Sequence, residues 1–164
     1  MIELRVRKES IIASTPTFAH NDSNNAGADI YAAQNKIIWP KSKAIINTFI
    51  SLEPILKPDY PVKTPDWFKK FYEKNYKTAL LIKSRSGLSA FYSLEHGAGV
   101  IDSGYRGEIK IILYNHGWLP YRITTGDRVA QIITMLLPQV DIVKSQYLNN
   151  SNRGEKGFGS SGTD

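Results

Sequence analysis

Five short stretches of this chain carry more polar chemistry than the apolar runs beside them need. AGADIY (26–31) sets Asp29 behind a glycine at the start of an apolar run. SRSGLSA (84–90) follows the apolar ALLI with Arg85, Ser86 and Gly87, so a guanidinium, a hydroxyl and bare backbone N–H groups can converge on one anion. The same residues also suit a plain turn. GAGVIDSGYRGEI (97–109) puts Asp102 and Tyr105 on either side of Ser103-Gly104, a turn dipeptide, and an aspartate there often only accepts backbone hydrogen bonds. In GDRVAQII (126–133), strand alternation places Gln131 on the same face as Val129 and Ile133. A buried amide there is either a core hydrogen-bonding group or points into a polar pocket. RGEKGFGSSG (153–162) reads as a glycine-rich linker, costly to order, yet it holds Arg153 and Phe158.

The elements that must position these residues read mainly as short strands. Apolar runs at 2–6, 29–33, 36–40, 43–52, 79–83, 107–115, 120–124, 128–137 and 141–148 are bounded by Gly, Pro, Asn or Lys/Ser clusters. Such close spacing predicts a β-sandwich or small barrel, with a hairpin turning at Ser103-Gly104. TPDWFKKFYEKNYKT (64–78) breaks the pattern, with Trp67, Phe68, Phe71, Tyr72 and Tyr76 at helical spacing. Thr64 can cap it, Pro65 suits the first position, and Asp66–Lys70 and Glu73–Lys77 are spaced i, i+4. Its aromatic face is expected to pack on its own subunit, the alternative being a partner protein docked on the helix.

Composition narrows the classes. A chain of 164 residues, 41% hydrophobic and 22% charged, fits one globular domain with a real core. No apolar run reaches membrane-spanning length, and MIELRVRKES lacks the apolar stretch of a signal peptide. There is no cysteine, which excludes disulfides and thiolate metal sites, and His20, His96 and His116 lack ligand spacing. A cytoplasmic location is the expectation from the missing leader and missing cysteine. The net charge of +6 suits an acidic or phosphate-bearing partner. No dense basic block interleaved with aromatics marks a nucleic-acid groove, so stable binding to nucleic acid or membrane is not expected.

The five stretches occur in the order of the five motifs of trimeric dUTPases (deoxyuridine triphosphate nucleotidohydrolases). The sequence resembles that family over nearly its whole length, except about residues 54–78, where the helix is an insertion. The resemblance implies an all-β, jelly-roll-like β-barrel subunit with one inserted α-helix, forming a homotrimer whose subunits share their active sites. The domain would span 1–148, with a flexible arm over 149–164 that orders when it closes over bound nucleotide. The implied reaction is dUTP plus water giving dUMP and pyrophosphate, by attack at the α-phosphorus, which supplies dUMP and limits uracil in DNA. Such chemistry needs charge neutralisation, an aligned water and a base.

By the same resemblance, Asp102 is the general base, and Arg85, Ser86 and Gly87 grip the phosphate chain. Gln131 lies near the α-phosphate and Tyr105 sits under the deoxyribose, excluding a 2′-hydroxyl. Main-chain atoms of Gly99, Val100, Ile101 and Lys110 read the uracil, and His96 stands where some relatives place a polar contact to the base. Arg153 reaches the γ-phosphate, Phe158 covers the uracil, and Gly159 and Ser160 offer donors. The implied metal is Mg2+, with Asp29 holding it through water as an outer-shell residue. One departure is Ser84, where the family usually has proline. Two rivals remain: dCTP deaminase, which shares the fold but needs a glutamate where Ile112 stands, and a nucleotide-binding protein that contacts a regulatory partner through helix 64–77.

Overall fold

Alternating apolar and polar side chains, broken by Gly, Pro and Asn, fold into twelve strands and two helices over the residues that the computed structural model describes, 2–19, 24–57, 65–152 and 154–155. The order is β1 (Ile2–Lys8), β2 (Thr17–Phe18), β3 (Ala28–Tyr31), β4 (Lys36–Ile38), β5 (Lys43–Asn47), β6 (Ile50–Leu56), α1 (Asp66–Asn75) and β7 (Tyr76–Lys83). It continues through α2 (Ser86–Tyr92), β8 (Leu94–Gly97), β9 (Val100–Asp102), β10 (Lys110–Asn115), β11 (Tyr121–Ile123) and β12 (Arg128–Pro138). Every ladder is antiparallel. The largest sheet has the order β2-β3-β12-β7-β9, a second runs β5-β10-β8, and β1-β6 and β11-β4 form two-stranded ribbons. Inward residues of all four, among them Ile30, Ile46, Leu52, Leu80, Leu113, Ile123 and Ile132, meet in one buried cluster.

Several local expectations are corrected. The run 43–52 is two strands, because Phe49 adopts a left-handed φ of 51° and turns the chain. The Glu108 carboxylate fixes that corner by accepting from the N–H groups of Thr48 and Phe49 at 3.2 and 3.1 Å. The turn at Ser103-Gly104 forms, with Tyr105 N–H donating to the Asp102 carbonyl at 3.0 Å, but it does not close a hairpin. Strand β9 pairs with β7, while β10 lies between β5 and β8. SRSGLSA is not a turn: its Leu and Ala are good helix formers, and α2 buries Leu88 and ends at Ser93 in the left-handed region. There are thus two helices, not one, among the described residues.

Two further differences concern what lies outside the core. No strand forms over 141–148, and Ile142, Val143, Tyr147 and Leu148 are all at least 80% exposed. The apolar alternation is present, but no strand among the described residues pairs with it. Helix α1 runs directly into β7, and its Trp67 and Phe71 rings stay more than half exposed, against the expectation that this face packs on its own subunit. Thr64, its expected cap, lies outside the described residues, as does His20.

Asn115 closes one end of the core. Its Nδ2 donates to the carbonyls of Ile38 (3.0 Å) and Leu119 (2.8 Å), and its Oδ1 accepts from Gly117 N–H at 2.9 Å. Replacing it with Leu strands three partners, and chemical unfolding should show a loss of about 2–3 kcal/mol. On the β1-β6 side, hydrogen bonds from Lys57 and then Arg5 hold the Glu3 carboxyl below its ordinary value. A depressed carboxyl contributes stability above its unfolded value of 4.5 and loses it as acid protonates the folded form. Glu3→Gln should therefore lower the melting temperature near neutrality and flatten its fall on acidification.

Candidate functional site

A cavity of about 300 Å³ opens between residues 97–102 and 108–112, with Ile82 and Tyr105 completing its walls. Glycine makes this approach possible. A Cβ on Gly97 would stand 2.5 Å from Tyr114 Cε2, and one on Gly99, whose φ is +128°, would stand 2.9 Å from the Ile82 carbonyl oxygen. The Ile82 N–H instead donates to the Gly99 carbonyl at 2.7 Å. Strand β9 is the outer strand of its sheet, so Val100 and Ile101 present an unpaired backbone edge. The Tyr105 ring is half exposed and its hydroxyl donates to the Glu108 carbonyl at 3.1 Å. Asp102 is exposed at the end of β9. Lys110 contributes to the wall, and its ammonium pairs with Glu108 at 3.4 Å.

A second cluster surrounds Asp29, whose carboxylate is 1% exposed. Arg85 Nε donates to Oδ1 at 3.0 Å and Arg128 Nη1 to Oδ2 at 3.4 Å, with Gln131 Nε2 3.4 Å from Oδ1. Register explains the meeting: Gln131 pairs with Asp29 across the β3-β12 ladder. A bulge between Arg128 and Ala130 breaks the expected alternation, so Val129 joins the core with Ala130 and Ile132 instead of sharing the face of Gln131. Arg85 is the residue before α2, and no side chain caps that helix. Ser86 and Gly87 form its first turn, and Gly87 has open space on the side where a Cβ would project. A guanidinium held through Nε keeps further N–H groups for an anion.

The structure thus gathers Asp29, Arg85 and Gln131 in one place and Asp102, Tyr105, Lys110 and residues 99–101 in another. Asp102 faces Ala79 across the β7-β9 ladder, and Arg85 lies two residues past Lys83, where β7 ends after roughly 13 Å of strand from Ala79. His96 on β8 stands beside the residue before Arg85, its Nδ1 2.9 Å from Ser84 Oγ. Arg153, Phe158, Gly159 and Ser160 lie outside the described residues. Sequence reasoning missed Arg128, although it sits three residues before Gln131 in GDRVAQ, and Glu95 and Glu108, which carry no local signal.

The family model described as dUTPase matches residues 70–162 of this chain. The chain belongs to the dUTPase family. It is 38% identical over 157 residues to the deoxyuridine 5'-triphosphate nucleotidohydrolase of Yaba monkey tumor virus, covering 96% of this chain and 94% of that one. With the enzyme of the same name from Clostridium tetani it shares 35% over 167 residues, covering 98% and 96%. Among solved structures, a mutant Staphylococcus bacteriophage 80alpha dUTPase with dUpNHpp matches at a TM-score of 0.78 and 26% identity, over 98% of each chain. The all-β, jelly-roll-like dUTPase fold expected from the motifs is the fold of this chain.

Removing the buried carboxylate of this dUTPase leaves two guanidinia facing each other. Asp29→Ala should cost about 3 kcal/mol in chemical unfolding, the low end for a broken buried pair because Arg128 is half exposed. Gly99→Ala adds both a backbone penalty and a clash with Ile82, so calorimetric titration should show loss of nucleoside binding well beyond any change in melting temperature.

Proposed function

We propose that this chain hydrolyses dUTP to dUMP and pyrophosphate by water attack on the α-phosphorus, in active sites shared between the subunits of a homotrimer. The observation that carries the shared site is the spacing along β7. A carboxylate that aims water at the α-phosphorus must stand close to the group that grips the phosphate chain, yet Asp102 stands opposite Ala79 and Arg85 lies two residues past the end of β7, with roughly 13 Å of paired strand from Ala79 to Lys83 between them. Two copies supply the two halves to one nucleotide. The exposed apolar residues of 141–148, a strand pattern without a partner, support exchange between subunits.

In this reading the cavity takes the base. The backbone edge of Gly99, Val100 and Ile101, with main-chain atoms of Lys110, distinguishes uracil by its donors and acceptors, and Tyr105 lies under the sugar. Asp102 orients water and takes its proton. Arg85, Ser86 and Gly87 hold the phosphates beside Gln131. Arg153, Phe158, Gly159 and Ser160 close the site from the tail. No group of three or more His, Cys, Asp or Glu side chains that could cage a metal occurs among the described residues. Asp29 is already surrounded by Arg85, Arg128 and Gln131, which fits an outer-shell contact through water and not direct ligation. Bound Mg2+ would neutralise charge on the phosphate oxygens. A cytoplasmic location belongs to the same proposal.

Ile112 decides against the deaminase: it lines the cavity where that chemistry needs a carboxylate, and an apolar side chain cannot activate water. A regulatory partner on α1 is an additional reading, favoured by the exposed Trp67 and Phe71 one helical turn apart. Capture experiments with and without residues 59–78 address it.

Pyrophosphate release from dUTP, dCTP, dTTP and UTP with magnesium should show turnover of dUTP alone. Asp102→Asn should lower kcat by about a thousandfold or more while dUpNHpp binding changes little. Turnover at the unmodified rate would remove Asp102 from the mechanism.

A further inference from the structure

Glu95 lies on β8, two residues before the cavity wall begins, and its carboxylate is held by two serines from the neighbouring segment. Ser84 Oγ donates to Oε2 at 2.7 Å, and Ser89 Oγ donates to Oε1. These two serines bracket Arg85, Ser86 and Gly87. One carboxylate therefore pins both ends of that segment, the residue before Arg85 and the middle of α2, to the strand that leads into the cavity.

Ser84 does more than meet Glu95. Its Oγ lies 2.9 Å from the backbone N of His96 and 2.9 Å from His96 Nδ1. A serine hydroxyl has one proton and two lone pairs. With the proton committed to Glu95, both lone pairs must accept, so His96 Nδ1 carries hydrogen. That fixes the ring, whose Nε2 lies 3.2 Å from where a Cβ of Gly99 would stand. A proline at position 84 could make none of these bonds.

We infer that Glu95 is a positioning residue for substrate phosphate: through Ser84 and Ser89 it sets the Arg85–Gly87 segment, and through Ser84 it sets the His96 ring behind the base cavity. The inference rests on the proposed role of Arg85 in gripping phosphate. A displaced guanidinium loses anion contacts while leaving the backbone edge that reads the base in place. Glu95 touches no substrate itself.

Calorimetric titration with dUpNHpp and with deoxyuridine, which lacks phosphate, separates these roles. Glu95→Ala should weaken dUpNHpp about tenfold or more and leave deoxyuridine within about twofold. Glu95→Gln, which keeps the shape and one acceptor oxygen, should recover most of that loss and covers the case in which the alanine variant fails to fold. Nitrogen-15 spectra should show His96 protonated at Nδ1 in the unmodified protein and lose that single tautomer in Ser84→Ala. Unchanged dUpNHpp binding in Glu95→Ala, or equal weakening of both ligands, overturns the inference. Arg85→Ala serves as the reference: if it binds dUpNHpp normally, the phosphate-gripping role fails first, and that result is distinct from a failure of Glu95 alone.

Discussion

The β7 ladder is the constraint on which the rest depends. Strand β7 is paired along its whole length with β12, from Tyr76 opposite Pro138 to Lys83 opposite Gln131, and carries β9 on its other edge. Such a strand cannot shorten or bend without losing hydrogen bonds on both sides. It therefore acts as a ruler between Asp102, opposite its early residues, and Arg85, just past its end. A nucleotide that needs both must take them from different chains in the proposed trimer. The same rigidity gives each half of the site its preorganisation, because the donors aimed at charge do not have to be gathered when substrate arrives.

The two halves are built by different physics. Around the cavity the devices are backbone devices: glycines at 97 and 99 admit close approach, and Ala98, at a left-handed φ of 58°, holds a conformation that L-residues usually avoid. A strained backbone edge can discriminate a base by its pattern of donors and acceptors without a dedicated side chain. Around Asp29 the device is charge. Its burial would be prohibitive without Arg85, Arg128 and Gln131, so the cluster stabilises the fold before any substrate is bound.

What the sequence made legible follows the range of the forces involved. Strand positions in β1, β4, β12 and β7 from Ala79 on were readable because alternation and turn residues are local, whereas Tyr76, Lys77 and Thr78, expected in the helix, open β7 instead. The five polar stretches were readable because spacing survives in the chain. Partner choice was not: nothing in VIDSGYRGEIKI says that β9 joins β7 while β10 joins β5 and β8. The bulge at Val129 moved one side chain from the expected face to the core, a one-residue effect that only the β3 register reveals. SRSGLSA hid a helix because seven residues are too few for periodicity to separate helix from turn. Glu95 was invisible for a different reason, since its partners Ser84 and Ser89 matter only once α2 folds back onto β8.

Charge balance around Asp29 explains why a stabilising cluster can also be a binding one. Two guanidinia face one carboxylate, which leaves one formal positive charge uncompensated by Asp29. A fully neutral triad would have no reason to attract a triphosphate, and an uncompensated pair of arginines would repel each other in the empty protein. With Asp29 between them, each arginine is held near its place, and an arriving phosphate can share N–H groups that Asp29 does not use. Magnesium bound to the phosphates, as proposed, would reduce the remaining negative charge without requiring a cage of protein carboxylates. In the proposed site, the buried aspartate is the counter-ion that holds two arginines together before substrate arrives.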